Sequence, residues 1–404
     1  MVTLRVLIIS TMYPHPLVPT YGIFVHQQMA ALTKLGCQVV VICPVPWAPF
    51  PLPLFRRKWK EYARAPRFAR KDNIDVYYPR FLLFPRKILI SYSGNFLYLG
   101  IKRTMHRLEK KLRFDIIHAH GLLPEGWAAL ALTRKRKLPV IVTTHGKDVF
   151  MTSQLNNRCR QILNNIIRSV DAFVLVSRRL LHEAQNHLNL SAEELVIYNG
   201  FDSSVLSIIE PEEVFCSESV RIVSVSNLIE RKGVRDVVLA VNEISKRVES
   251  IEYTIVGIGP EKRHLESLIE KHDIKSKIKI KQIRSHEQAM RELARADIFC
   301  LPARDESFGI VYIEALAFGK PVIACAGEGI EEIIKPNKFG MLVPWGDQKC
   351  LVEAIEFLIG HPLESREMGN RGREYVYKHL SWENNAHRYM QVYRGLIEGQ
   401  STDS

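Results

Sequence analysis

Short apolar, β-branched runs recur along the chain, with amphipathic stretches of helical period between them. In the first half the runs fall at residues 4–10, 38–43, 115–118, 140–144, 172–176 and 196–198, and helical patterns at 24–35 and 126–132 lie between some of them. Strands alternating with helices in this way imply a parallel, doubly wound sheet. The rhythm fades over 199–211, where a linker is expected, and then restarts. Strands are expected at 220–226, 253–256, 278–283, 297–301 and 322–324, with helices at 233–248, 261–271 and 287–294. The segment 382–396 reads as one more amphipathic helix. A chain of 404 residues is too long for one ordinary core. The pattern therefore predicts an α/β protein with doubly wound domains at 1–203 and 204–380, and a terminal helix within 381–404. The region 50–113 departs from the rhythm; it is proline-broken, then basic and aromatic, and reads as an insertion into the first domain.

The polar chemistry gathers after the strand at 297–301. There Arg304-Asp305-Glu306-Ser307 forms a loop ending at Gly309, and the following residues to Phe318 have helical spacing that Gly319 is placed to end. Strand, tight loop and helix start is a phosphate-binding arrangement, because amide N–H groups and the positive end of the helix dipole point at the ligand. Glu314 lies roughly 7.5 Å further along the helix than Gly309. That is near the separation of a nucleotide's diphosphate from its ribose hydroxyls, for which a carboxylate is a natural acceptor. Glu306 precedes the helix and can project past the phosphates toward the group they carry. The pair suggests a nucleotide-linked substrate. For either glutamate alone a solvated surface position is the blander reading. Glu314 resists it, because Ile310, Val311, Ile313, Ala315, Leu316 and Ala317 surround it with apolar side chains.

Composition narrows the setting. Charged residues at 25% and hydrophobic ones at 47% suit a globular protein. Neither a signal-peptide pattern nor an apolar run of the roughly 20 residues needed to span a membrane is found, so a cytoplasmic protein is expected. Seven scattered cysteines fit a reducing compartment, and no pair has metal-ligand spacing. Residues 1–200 hold 29 Lys and Arg against 11 Asp and Glu, a net +18, whereas the remainder holds 27 against 32, a net −5. The run 55–71 carries eight basic residues against Glu61, with Trp59, Tyr62 and Phe68 interleaved. Such runs are usually solvated faces; the aromatics favour contact with an anionic membrane surface, which would place the protein peripherally on the inner face.

Other strand ends carry further motifs, and in open α/β sheets ligands bind there. The chain contains Gly22-Ile-Phe-Val-His26, Thr144-His-Gly-Lys-Asp148, Tyr198-Asn-Gly-Phe-Asp202, Leu228-Ile-Glu-Arg-Lys-Gly233, Val256-Gly-Ile-Gly-Pro260 and the Glu306/Glu314 pair. In this order over some 300 residues they resemble glycosyltransferase family 4. The resemblance implies the GT-B fold, two Rossmann-like domains facing across a cleft, with the helix from Trp382 crossing back to the first domain. It places the insertion on the acceptor side. It further implies retaining transfer of a hexose-type sugar from a nucleotide-diphospho-sugar, without a metal or other cofactor, to a glycan or lipid-linked acceptor. A uridine-diphosphate sugar is the default donor, ahead of guanosine-diphosphate mannose.

Residue by residue, Glu314 resembles the family's ribose-binding glutamate and Glu306 the glutamate against the donor sugar. The amides from Phe308 through Gly309 and Ile310 to Val311 resemble its diphosphate-binding turn, and Lys232 the lysine that neutralises the diphosphate. His145 resembles a histidine approaching the sugar from the first domain, and Gly22 a glycine leaving room for phosphates. His145, Glu306 and Lys232 are thus the catalytic candidates. Asp148, Asn227, Arg231, Gly259 and Ser307 complete the candidate donor-binding set. The family often has an arginine where this chain has Asn227, so Arg231 is a candidate replacement. His118 and His120 could pass for metal ligands, but without a third ligand ordinary hydrogen-bonded roles are the better reading. Gly257-Ile-Gly259 lacks the third glycine of a dinucleotide fingerprint, which argues against a dehydrogenase. Two rival functions are a sugar-nucleotide epimerase, which leaves the basic aromatic insertion unexplained, and a nucleic-acid binder, which leaves Glu306 and Glu314 unexplained.

Overall fold

The computed structural model describes residues 3–15, 20–47, 57–84, 87–134, 136–190, 194–206, 208–283, 285–334 and 338–402. Phe55 and Arg56 of the basic run lie outside these residues. The chain divides into two compact units, residues 1–198 with 382–404, and residues 199–381.

Among the described residues the first unit has ten strands: β1 (Arg5–Ile9), β2 (Gln38–Ile42), β3 (Val45–Pro46), β4 (Phe68–Lys71), β5 (Ile74–Tyr77), β6 (Arg80–Phe81), β7 (Ile116–His120), β8 (Val140–Thr144), β9 (Ala172–Leu175) and β10 (Glu194–Val196). Eight of them form one sheet in the order β10-β9-β8-β7-β1-β2-β5-β4, and β3 pairs with β6 separately. Every pairing in the large sheet is parallel except β4 with β5. β1, β7 and β8 are buried on both faces, which requires their near-continuous apolar sequence. The strand order reverses between β1 and β7, so the loops after these strands flank a crevice.

Three sequence expectations are corrected here. The region 50–113 is largely not an insertion: β5 extends the main sheet beside β2, and the helix Ser93–Glu109 is the crossover leading into β7. Its proline- and arginine-rich composition hid the alternation. The strand expected to end at residue 118 continues through His120, because the histidines of β7 are buried inside the sheet. The last strand, β10, lies two residues earlier than its apolar run suggested.

The terminal helix Trp382–Thr402 belongs to this unit. Gln28 Nε2 donates to Asn385 Oδ1 at 2.8 Å, Asn385 Nδ2 donates to the Tyr198 carbonyl at 2.7 Å, and Trp382 Nε1 donates to Gln27 at 3.2 Å.

Among its described residues the second unit has six parallel strands: β11 (Val220–Val225), β12 (Ile251–Val256), β13 (Ile278–Lys281), β14 (Ile298–Leu301), β15 (Val322–Cys325) and β16 (Gly340–Val343). Their order is β13-β12-β11-β14-β15-β16, reversing between β11 and β14. The sequence reading named neither β16 nor the helices Gln348–Gly360 and Pro362–His379 that follow it. Core contacts come from Ile298 to Leu301 and from Tyr312, Ile313, Ala315 and Leu316, all essentially inaccessible.

Candidate functional site

In the second unit the loops after β11 and β14 meet at the strand-order reversal. Lys232 closes the short helical turn Glu230–Lys232, and its ammonium donates to the Glu306 carboxylate across the two loops. Both side chains are mostly covered, at 13% and 19% exposure, so the pair is held rather than solvated. Two side chains fix the Glu306 loop. Glu328 is buried, and its carboxylate accepts the Asp305 amide at 3.1 Å and the Glu306 amide at 2.8 Å. Arg231 Nη1 donates to the Arg304 carbonyl at 3.3 Å and the Asp305 carbonyl at 2.9 Å. The loop's tension shows at Asp305, a non-glycine residue with φ 54°.

The helix Ile310–Ala317 starts at Gly309, whose φ of 84° is left-handed and whose absent Cβ would strike Tyr312 at 2.4 Å. The amides of Ile310 and Val311 have no preceding helical carbonyl to bond, and so form an anion-accepting end. Phe308 is buried, so it offers its backbone rather than its ring, and Ser307 beside it is half-buried. Glu314 is 8% exposed and accepts from His286 Nε2 at 2.6 Å. Burial pulls the His286 pKa down, but the Glu314 charge and hydrogen bond outweigh it and hold the imidazole above its ordinary value. Asn227 is exposed at the end of β11, and Gly259 packs where a Cβ would lie 2.2 Å from the Leu228 carbonyl oxygen. Glycine at 259 is therefore required by packing against the neighbouring loop.

The first unit carries a second cluster. His145 follows β8 and stacks parallel to His120 with ring centroids 5.3 Å apart; His120 Nδ1 and His145 Nε2 share a hydrogen bond of 3.0 Å. His120 stacks in turn on His118, which bonds Tyr393 Oη through Nδ1 at 2.7 Å and Thr143 Oγ1 through Nε2 at 2.8 Å. Burial lowers all three imidazole pKa values, that of His145 to about 4 and that of His118 to about 3. They are neutral at pH 7. Gly22, at φ 66°, turns the chain into the helix Ile23–Lys34, whose Phe24 lies edge-on to His145 at 4.9 Å. A Cβ at Gly22 would sit 2.4 Å from the Met12 backbone, so this position too is set by close packing.

Asp148 is buried, and its carboxylate accepts the Leu122 amide at 2.7 Å. That geometry anchors the turn after β7 instead of presenting the carboxylate to a ligand. Glu125 in the same turn is buried, and it accepts the Thr11 amide at 3.1 Å and the Thr11 hydroxyl. Beside these turns lies a cavity of about 700 Å³, with Thr11, Pro124 and Lys147 at the strand ends and Tyr62, Phe81 and Leu83 among its walls. Among the described residues, no cluster of three or more His, Cys, Asp or Glu stands where it could hold a metal ion.

Sequence reasoning missed His286 and Glu328. Ser285, which caps the helix His286–Arg295 by accepting the Gln288 amide, was the available signal for the first. For the second it was an acid between two glycines, Gly327 and Gly329, just past a strand.

Comparison with known proteins gives both the class of enzyme and the family. Residues 22–205 match the family model described as Glycosyltransferase Family 4, and residues 208–375 match the model described as Glycosyl transferases group 1. A glycosyltransferase of Bacillus subtilis provisionally assigned to teichuronic acid biosynthesis, TuaC, is 27% identical over 372 residues, covering 87% of this chain and 88% of that protein. Sucrose-phosphate synthase from Thermosynechococcus elongatus superposes with a TM-score of 0.79 at 20% identity, covering 98% of this chain and all of that one. Anabaena HepE, solved in complex with UDP and glucose, superposes with a TM-score of 0.71 at 15% identity, over 97% of this chain and 100% of that one. The chain is a glycosyltransferase with the GT-B fold. It belongs to glycosyltransferase family 4.

Proposed function

We propose that the protein transfers a hexose-type sugar from a nucleotide-diphospho-sugar to a glycan or lipid-linked acceptor in polysaccharide or glycolipid synthesis, with retention at the anomeric carbon. The observation that carries this is the Lys232–Glu306 pair beside the amino end of the Ile310–Ala317 helix, with Glu314 one turn further along. A diphosphate entering here would exchange with the Glu306 carboxylate for Lys232. Lys232 and the helix amides would then neutralise the phosphates, and Glu306 would turn toward the sugar. Glu314 would accept the ribose hydroxyls. As the sugar–phosphate bond breaks, charge develops on the β-phosphate and the sugar gains oxocarbenium character. The departing phosphate would take the proton of the acceptor hydroxyl as the new glycosidic bond forms on the same face, so no protein nucleophile is assigned. His145, neutral at pH 7, is the remaining catalytic candidate.

A uridine-diphosphate sugar leads as donor, because HepE was solved with UDP and glucose. Turnover is expected to be independent of divalent metal, since a lysine and helix amides supply the positive charge. Incubation with a panel of nucleotide sugars, with and without lipid-linked acceptors, tests the reading. Sugar transfer to an acceptor, undiminished by a chelator, is expected. Release of an altered nucleotide sugar without acceptor would instead mean an epimerase, and activity lost to chelator and restored by magnesium or manganese would refute metal independence.

A further inference from the structure

The cavity of the first unit has a mixed lining. Thr11, past the end of β1, and Lys147, past the end of β8, are polar, and His15 and Glu61 also line it. The wall made by β3 and β6 is apolar, with Val45, Pro46, Phe81 and Leu83. Leu83 is also partly in water, as are its neighbours: Leu82, Leu83 and Phe84, and further along the chain Ile88 and Leu89, are 39–56% exposed. Phe84 packs on Phe96 at 5.5 Å, so this strip rests on the crossover helix Ser93–Glu109. Trp47, half exposed, follows the wall residue Pro46, and its amide donates to the Phe81 carbonyl at 2.7 Å. Large apolar side chains clustered in water beside a cavity mark an interaction surface.

We infer that the cavity takes an amphiphilic acceptor, whose hydroxylated head lies over Thr11 and Lys147 and whose hydrocarbon chain runs out over Leu83 and Phe84. Polar residues at the strand ends, an apolar wall, and the exposed Leu82 and Phe84 on either side of the wall residue Leu83 together match such a molecule. A free glycan would use the polar residues and leave the strip in water. Naming the occupant an acceptor rests on the transfer reading above; the shape and chemistry of the site do not.

The probe is decyl maltoside, held below its micelle concentration, against maltose, with binding read from tryptophan fluorescence and saturation-transfer NMR. Decyl maltoside should bind one per chain at least tenfold more tightly than maltose, and affinity should rise along a hexyl, octyl, decyl series. Leu83→Glu and, independently, the exposed Leu82→Glu should each remove most of the chain-length dependence while nucleotide-diphosphate binding is kept. Leu363→Glu, at a 74% exposed leucine of the second unit, should change nothing. Equal affinity for both sugars, or the same loss in all three variants, overturns the inference. So does a self-associating chain that Leu83→Glu makes monomeric while decyl maltoside fails to bind, which would assign the strip to a second copy. Decyl maltoside bound by a protein that consumes no nucleotide sugar would sink the transfer reading and keep the amphiphile site. Turnover onto free glycans with no preference for a chain would do the reverse.

Discussion

Glu314 places a carboxylate in a helix whose other side chains are almost all buried and apolar, and His286 is the partner that makes this tolerable. Replacing Glu314 by alanine should weaken nucleoside-diphosphate binding by about 1.5–3 kcal/mol, roughly 10- to 150-fold, by loss of a charged hydrogen bond to ribose. Titration with UDP decides this, and parental affinity in the variant would displace the ribose from Glu314. The pair also has a pH signature. Because the folded-state pKa of His286 is raised, its stabilisation is complete below the ordinary histidine value of about 6.5 and is lost as pH rises through the raised value. Glu306 is expected to face the reacting sugar and His145 is the other catalytic candidate, so alanine at either should depress turnover more than donor binding. Glu328 acts through Glu306, whose amide it holds. Glu328→Gln should lower kcat on the order of 10- to 100-fold through misplacement of that loop, with a smaller change in donor affinity. Equal losses in kcat and in UDP affinity would show that Glu328 supports the nucleotide site as a whole.

At the scale of elements, β7 and β8 carry three stacked histidines into the interior of the first unit, and the terminal helix closes over them with Tyr389 and Tyr393. Each histidine stays neutral in the folded state but would accept a proton below about pH 6.5 once unfolded. Stability should therefore fall as pH drops from about 6.5 toward about 4, by about 1.4 kcal/mol per pH unit for each histidine withheld. Urea unfolding at pH 7 and pH 5 reads the slope, and His118→Asn should make it shallower. A slope unchanged in that variant would clear His118 of the effect. Tyr393→Phe leaves the buried Nδ1 of His118 without its 2.7 Å partner and should cost about 1–3 kcal/mol at pH 7. The same strands show how far sequence carries. Val6 to Ile9, Ile141 and Val142 announce a buried sheet by composition, and the loop containing Glu306 announces a ligand through carboxylates that an apolar helix cannot otherwise explain. His118 and His120 gave the opposite impression, because polar residues at the end of an apolar run look like the end of the strand. His286 and Glu328 lie 28 and 22 residues from the groups they hold, and only folding brings them there.

At the scale of the whole molecule the net charge is +13, and it is carried by the first 200 residues, at +18, against −5 for the rest. The helix Arg57–Arg64 continues the basic run, but its aromatics are not simply presented to solvent: Trp59 packs edge-on to Tyr62 at 5.9 Å, and Tyr62 lines the cavity. Phe68, at 47% exposure, and Leu82, Leu83, Phe84, Ile88 and Leu89 are the more accessible apolar groups. No helix of the described residues is long and apolar enough to cross a membrane. Reversible docking of the first unit on an anionic surface is the expected use of this charge, since each lysine or arginine near such a leaflet contributes about 1 kcal/mol. Four or five contacts with one buried aromatic should give micromolar affinity after orientation costs. Salt at 1 M, where the Debye length is about 3 Å, should release the protein. Sedimentation with anionic and neutral vesicles at low and high salt tests this directly. Glutamate at Arg56, Arg57, Lys58 and Lys60 together with Trp59→Ala should abolish cosedimentation and leave UDP binding intact. Equal binding to neutral vesicles, or full binding by the variant, would show that the basic surface serves a soluble polyanionic glycan or no partner at all.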